Sequence, residues 1–340
     1  MPEFREQTPR EAWESEKLAV LSKKIDELQL RIEGTPLESA LNKLAEELEA
    51  KGLKFRPKTY LSDEWGCPEG VPVIGIPFYL ADERLKRLED EFSEDLEDDR
   101  LTMMYLRHEA GHAFNYAYRL YQSEEWHTVF GPYSRPYVED YSSNPFSKKF
   151  VKHIPGWYAQ KHPDEDFAET FAVWLTPGSD WREKYKGHGA LPKLEYVDRT
   201  MASIGRTPPA VDVDAPPDEE LGTVTVKEHY ERRDEHESIA AQIAGYADGD
   251  LRELFGPPTE ANAAAGWADA KHRAIVKQVA YWTGARQPVV LSMARHLIVR
   301  LTEMKLSMPA GGEEEAIVRF TAFVTTLASN WVRSGKFIEL

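Results

Sequence analysis

Two histidines four residues apart, in His108-Glu109-Ala110-Gly111-His112, are the residues of this chain best suited to chemistry. On a helix such positions share a face, so both imidazoles can meet one metal ion. Neutral imidazole nitrogen suits zinc, and two of them call for a third protein ligand plus a position open to water. Glu109 follows the first histidine directly, where its carboxylate can reach the water rather than the metal. Gly111 leaves room for another backbone to approach closely.

The third ligand has to come from downstream, where His127, His153, His162, Asp164, Glu165, Asp166 and Glu169 are the candidates. The run Glu165-Asp166-Phe167-Ala168-Glu169-Thr170-Phe171 favours Glu165. Glu165 and Glu169 share a helix face, whereas Asp166 lies about 100° round from Glu165. Phe167, Phe171 and Trp174 form a separate apolar stripe for the core. One carboxylate can therefore bind metal while Glu169, a turn later, orients a ligand histidine. His162 precedes Pro163 and is expected in a loop.

The elements that must carry these residues are readable from periodicity. LTMMYLRHEAGHAFNYAYRLY has helical spacing of apolar residues, and DEDFAETFAVWL resumes a helix from about Asp164. Residues 11–52 read as helices, with Leu18, Leu21, Ile25, Leu28 and Ile32 before a Gly34-Thr35-Pro36 break and Leu41, Leu44 and Leu48 after it. LKFRPKTYLSDEW and GVPVIGIPFYL look like short strands, the prolines at 72 and 77 suiting an edge. The acidic stretch from Ala81 to Arg100 reads as a solvated helix and loop, without the ligand spacing of a calcium loop. The aromatic run from Phe114 to Tyr158 reads mostly as core.

Residues 206–222, rich in proline and acid, read as a linker, and residues 223–340 as an all-helical domain of unassigned role. Within it, Thr259 is a cap candidate and Gly284 a helix exit, with further helical segments near 287–307 and 313–334. The expected division is an N-terminal helical segment over 1–52, a catalytic domain over 53–205, the linker, and the helical domain.

The chain has 340 residues and a net charge of −16. That acidity repels phosphate backbones and argues against nucleic acid as the main partner. No apolar run nears the length of a membrane span. The opening MPEFREQTPREAWESEK has no hydrophobic centre for a secretory signal, so the expected compartment is the cytoplasm. The single cysteine, Cys67, excludes an intramolecular disulfide or a cysteine-built zinc site and reads as a small loop or buried residue.

These motifs carry a resemblance. H-E-x-x-H followed by a glutamate helix is similar to the gluzincin class of zinc metallopeptidases, and EDFAETF resembles the glutamate helix of the anthrax-lethal-factor-like members. More closely, FRPKTYLSDEWGCPEGVPVIGIPFYLADERL, LRHEAGHAFNYAYRL and YAQKHPDEDFAETFAVWLTP resemble the bacterial family called putative zinc-binding metallopeptidases, over about residues 53–200. The resemblance implies an α+β, zincin-like catalytic unit with a small mixed sheet. It implies zinc held by His108, His112 and Glu165, Glu109 as general base and Glu169 as the supporting carboxylate. It also implies Tyr158, seven positions before Glu165, as the donor to a developing oxyanion. Glu165 follows His112 by 53 positions, further than in the thermolysin branch, which leaves Tyr141 and Tyr137 as rivals for that role.

The expected function is zinc-dependent hydrolysis of peptide bonds, with a peptide or protein substrate and strand 70–80 offering an edge to it. Two alternatives share the residues: a non-catalytic zinc-containing interaction protein, and a zinc amidase acting on a non-protein substrate. Structural zinc sites are usually closed by four protein ligands, which favours an enzyme here.

Overall fold

A computed structural model describes residues 8–92, 96–137, 141, 143, 144, 146–214, 219–234 and 247–334. The chain divides into two units, the first comprising Met1–Tyr137, Lys148–Ile154 and Ala159–Asp234, the second Val138–Ser147, Pro155–Tyr158 and Glu235–Leu340.

The first unit opens with α1 (Pro9–Leu21), capped by Thr8 and Glu11 in a reciprocal box, and continues with α2 (Pro36–Ala50). The apolar periodicity predicts helix as far as Ile32, but α1 ends at Leu21. The backbone beyond it pairs elsewhere: Ile25 N–H donates to the Val224 carbonyl and Val226 N–H to the Lys23 carbonyl. Strands β1 (Lys58–Ser62) and β2 (Val73–Pro77) form a parallel pair, with Tyr60 opposite Gly75. On its other side Gly75 exchanges both backbone hydrogen bonds with Gly66, at 2.7 and 3.3 Å, in an isolated antiparallel bridge. The sheet is thus a parallel pair rather than the small mixed sheet expected, and the isolated bridge already takes the centre of the β2 edge.

Helix α3 (Glu83–Phe92) is less solvated than its charge suggests, since Leu85, Leu88 and Glu89 are buried. Helix α4 (Asp99–Ala117) begins at Asp98, whose carboxylate accepts from Leu101 N–H at 2.8 Å, and carries the histidine pair. After α5 (Glu124–Phe130) comes α6 (Pro163–Leu175), the glutamate helix, followed by α7 (Trp181–Lys184), α8 (Leu191–Ile204), α9 (Glu219–Thr223) and α10 (Val226–Asp234).

Every residue of α6 is buried. It lies against α4, and Gly111 is where the two helices touch. A Cβ there would stand 2.7 Å from the Ala168 Cα and 3.0 Å from its carbonyl oxygen. Phe114 stacks on Phe171 beside this crossing, with ring centroids 5.1 Å apart. On another side α4 is tied to α2 by a two-pronged ion pair, Arg107 to Glu47, both bonds 2.7 Å and both side chains largely buried. The motif helix is therefore gripped immediately before and after His108.

The second unit contains α11 (Asp248–Leu254), β3 (Gly256–Pro258), α12 (Ala263–Thr283), α13 (Gln287–Met304), β4 (Leu306–Ser307) and α14 (Gly312–Ser334). The expectation of an all-helical domain is corrected by the short antiparallel pair β3–β4. Thr259 does not cap α12, because its N–H is drawn to the Lys305 carbonyl at 2.7 Å; Asn262, in the left-handed region, precedes the helix instead. Gly284 ends the helix as expected, at φ 78°. Phe320 meets Phe255 and Trp267 edge to face in the core, and those two rings are tilted against each other. Residues 138–147 and 155–158 belong to this unit: the Tyr141 hydroxyl donates to the Gly156 carbonyl at 2.7 Å, and Gly284 lies against Trp157. Among the described residues, no helix is long and apolar enough to cross a membrane.

Candidate metal centre

Helices α4 and α6 bring three donor atoms to one point. His108 Nε2 and His112 Nε2 are 3.1 Å apart, and Glu165 Oε2 lies 3.0 Å from the first and 3.2 Å from the second. All three residues are buried. Ligand atoms about 2.0–2.1 Å from a tetrahedral ion stand about 3.3 Å from one another, close to the spacing seen. Among the described residues, this is the group of histidine, cysteine and carboxylate side chains whose donor atoms could hold a metal.

The far side of each ring explains why these atoms converge. His108 Nδ1 faces Glu169 Oε1 at 3.0 Å, and His112 Nδ1 faces Asp164 Oδ2 at 3.0 Å. Each carboxylate accepts a hydrogen bond from Nδ1–H, so each neutral ring turns its Nε2 lone pair inward. Two nitrogen lone pairs and an anionic oxygen then point at the same small volume. That arrangement is stable only around a positive charge, whether a proton or a metal ion. The titration behaviour expresses the same demand. Burial would push the His108 imidazole down, but Glu165 and Glu169 raise it to about 9. His112 is likewise disfavoured by burial and raised well above its ordinary value by Asp164 and Glu165. Burial works against the Glu165 anion, and the two histidines more than offset it, holding the carboxyl well below its usual range.

Four carboxylates on one buried helix need four sets of partners. Glu165 gives Oε2 to the histidines and receives the Tyr137 hydroxyl on Oε1 at 2.5 Å. Glu169 accepts from His108 and from the backbone N–H groups of His153 and Ile154, at 3.0–3.2 Å. Asp164 accepts from His112, from Asn115 Nδ2 at 2.6 Å and from the Tyr116 hydroxyl at 2.5 Å. Asp166, pointing away from the triad, meets Lys193 Nζ at 2.5 Å. None of these groups is a solvated helix start.

The rival ligands have other duties. His162 caps α6, its Nδ1 accepting from Asp164 N–H at 3.1 Å while Nε2 donates to the Arg135 carbonyl at 2.8 Å. His153 binds the Met104 carbonyl through Nε2, at 2.9 Å. His127 does the same with the Tyr121 carbonyl, at 2.7 Å. Sequence reasoning missed Asp164 as the partner of His112. The available signal was on α4, where Asn115 and Tyr116 follow His112 by three and four positions and offer two more donors to the same anion.

Glu109 is buried in the same region, and burial raises its carboxyl above the usual range, with His108 and His112 opposing. Among the tyrosines, Tyr137 touches Glu165, Tyr141 is bonded to Gly156, and Tyr158 opens a short turn over Tyr158–Gln160, half-buried and part of the second unit. Cys67 is a thiol that burial, then Glu109 and Asp164, push well above its ordinary value, so it is no thiolate nucleophile.

Residues 72–184 match a protein family's model, described as "Putative zinc-binding metallo-peptidase". The matched segment holds the whole donor set, the carboxylates behind it, Glu109 and Tyr158. It ends before α8 and does not extend to the part of the second unit that runs from Glu235 to Leu340. No curated protein and no solved structure matches the chain.

Proposed function

We propose that the protein is a zinc-dependent peptidase of the gluzincin type, with His108, His112 and Glu165 as its metal ligands. The observation that carries this reading is the convergence of two imidazole lone pairs and one carboxylate oxygen at 3.0–3.2 Å, with each ring oriented from behind by its own carboxylate. Zinc suits that set of donors, and when bound it supplies a positive charge that makes water nucleophilic near neutral pH and steadies charge on a carbonyl oxygen. Three protein ligands leave a position for water, unlike the four of a closed structural site.

The chain's own residues do the rest. The Glu109 carboxylate removes a proton from the attacking water and hands it to the leaving amine. Its burial makes it a better base than an exposed glutamate. Tyr158 is the proposed donor to the oxygen that becomes negative as the carbonyl is attacked. A peptide or protein chain is the proposed substrate, and the cytoplasm the proposed compartment. Gly66 occupies the centre of the β2 edge, so an extended substrate would pair one segment further out, along Trp65–Cys67. Trp65 is fixed there by stacking on Tyr105 of α4 at 5.6 Å.

Zinc per chain, measured on purified protein beside Glu165→Ala, tests the ligand set. One zinc in the parent and loss in the variant is the expected result, while full retention in Glu165→Ala would refute it. Glu109→Gln should keep zinc and lose turnover of a peptide library by a factor of about 10²–10⁴. Undiminished hydrolysis by that variant would remove Glu109 from the mechanism.

A further inference from the structure

Tyr137 is nearly half exposed, at 48%, yet its hydroxyl reaches a carboxylate that is buried. It donates to Glu165 Oε1 at 2.5 Å, while Glu165 Oε2 faces both histidine nitrogens. The two oxygens of one carboxylate thus have different partners, and the hydroxyl sets which oxygen does what.

The ring is held from several sides. Lys161 Nζ, on a buried side chain, lies 4.4 Å from the Tyr137 ring centroid. The His162 ring lies 5.3 Å away, tilted by 48°. His162 also clamps the chain two residues before Tyr137, through Nε2–H to the Arg135 carbonyl, while its Nδ1 caps α6. The residues that start the glutamate helix therefore also seat the tyrosine over it.

We infer that Tyr137 is a positioning residue that restricts Glu165 to metal ligation through Oε2 alone, the inference resting on Glu165 being a ligand as proposed above. By occupying Oε1 it prevents the carboxylate from rotating to give both oxygens to the ion. A second carboxylate oxygen would fill coordination space that a hydrolytic site keeps for water and substrate. The hydroxyl also supports the ligand as Glu169 and Asp164 support the histidines.

Tyr137→Phe removes the hydroxyl and keeps the ring, with Tyr118→Phe as control because, among the described residues, the Tyr118 hydroxyl binds only the Thr207 carbonyl, at 3.0 Å. Two readouts are taken on the full chain: zinc affinity by competition with a chromophoric chelator, and the visible spectrum of the protein loaded with cobalt(II) alone. Tyr137→Phe should bind zinc about 10–100-fold more weakly. Its cobalt bands should weaken, as they do when a four-coordinate ion gains a fifth ligand. Tyr118→Phe should match the parent in both. An unchanged cobalt spectrum in Tyr137→Phe overturns the inference even if affinity falls, because a loosened fold weakens binding without changing the coordination number. Unchanged affinity overturns it as well. If Glu165→Ala binds metal fully, the ligand assignment itself fails; if it loses metal while Tyr137→Phe matches the parent, only the role of Tyr137 fails.

Discussion

Gly111 and Ala168 meet where the motif helix crosses the glutamate helix, so closely that a Cβ on Gly111 would lie 2.7 Å from the Ala168 Cα. The obstacle is backbone, not the end of a flexible side chain. Gly111→Ala should push the helices apart, costing about 1–3 kcal/mol of stability. It should also separate Glu165 from the histidines and weaken zinc binding. Calorimetry with a chelator titration checks both, and an alanine variant as stable and as zinc-avid as the parent would show that the crossing can yield.

The two carboxylates behind the histidines are separable. Asp164→Asn alters the partner of His112, and Glu169→Gln that of His108. Each should lower zinc affinity by about 10–100-fold. Glu169→Gln should also unsettle residues 153 and 154, whose N–H groups it holds, and hydrogen exchange at those amides should quicken. Equal exchange in parent and variant would deny Glu169 that second role.

The metal-free protein should lose stability as pH rises from neutrality. His108 is disfavoured by burial but raised by Glu165 and Glu169 from 6.5 to about 9. A folded pKa above the unfolded one gives stability that is complete below about 6.5 and lost as pH climbs through about 9. On the acid side Glu165, held below its usual range, contributes stability that is lost as pH falls. Melting temperature in chelator should decline between pH 6.5 and 9, the interval set by the His108 shift. Zinc affinity should rise over the same interval, since the ion displaces the proton. A flat or rising chelator curve would contradict this.

Arg107 and Glu47 form a buried pair that anchors α4 to α2. Removing the arginine alone leaves a buried carboxylate uncompensated, at a cost of about 3–5 kcal/mol. Arg107→Met combined with Glu47→Leu should cost much less. Denaturant unfolding of both variants checks the difference, and equal losses would mean that packing rather than charge dominates.

The donor set was legible because it follows from helix geometry: His108 with His112, and Glu165 with Glu169, need only the four-residue repeat. What lay beyond reach depends on distant pairing. Asp164 sits next to Glu165 in sequence and supports the other histidine, which only the crossing of α4 over α6 decides. Tyr137 comes from coil with no periodicity to place it. In the fold, the strands and main helices followed from local pattern, whereas the end of α1 at Leu21 is set by residues two hundred positions later competing for its backbone. The reach of Gly66 to Gly75 is likewise a tertiary choice that fills an edge the strand pattern leaves open.

Trp157 has a bearing on how this protein can be dissected. Its indole is buried, its backbone is left-handed at φ 62°, and it lies against Gly284 within the second unit. Yet it stands only eight positions before Glu165 on the same chain. A fragment ending at Asp234 would not be a self-contained first unit. It would strip Trp157 of its covering and leave an oily, misfit stretch directly upstream of the glutamate helix. Expression trials that trim the chain to its family-matched portion would then yield aggregates, and poor solubility of such fragments would say nothing against the chemistry of the intact protein.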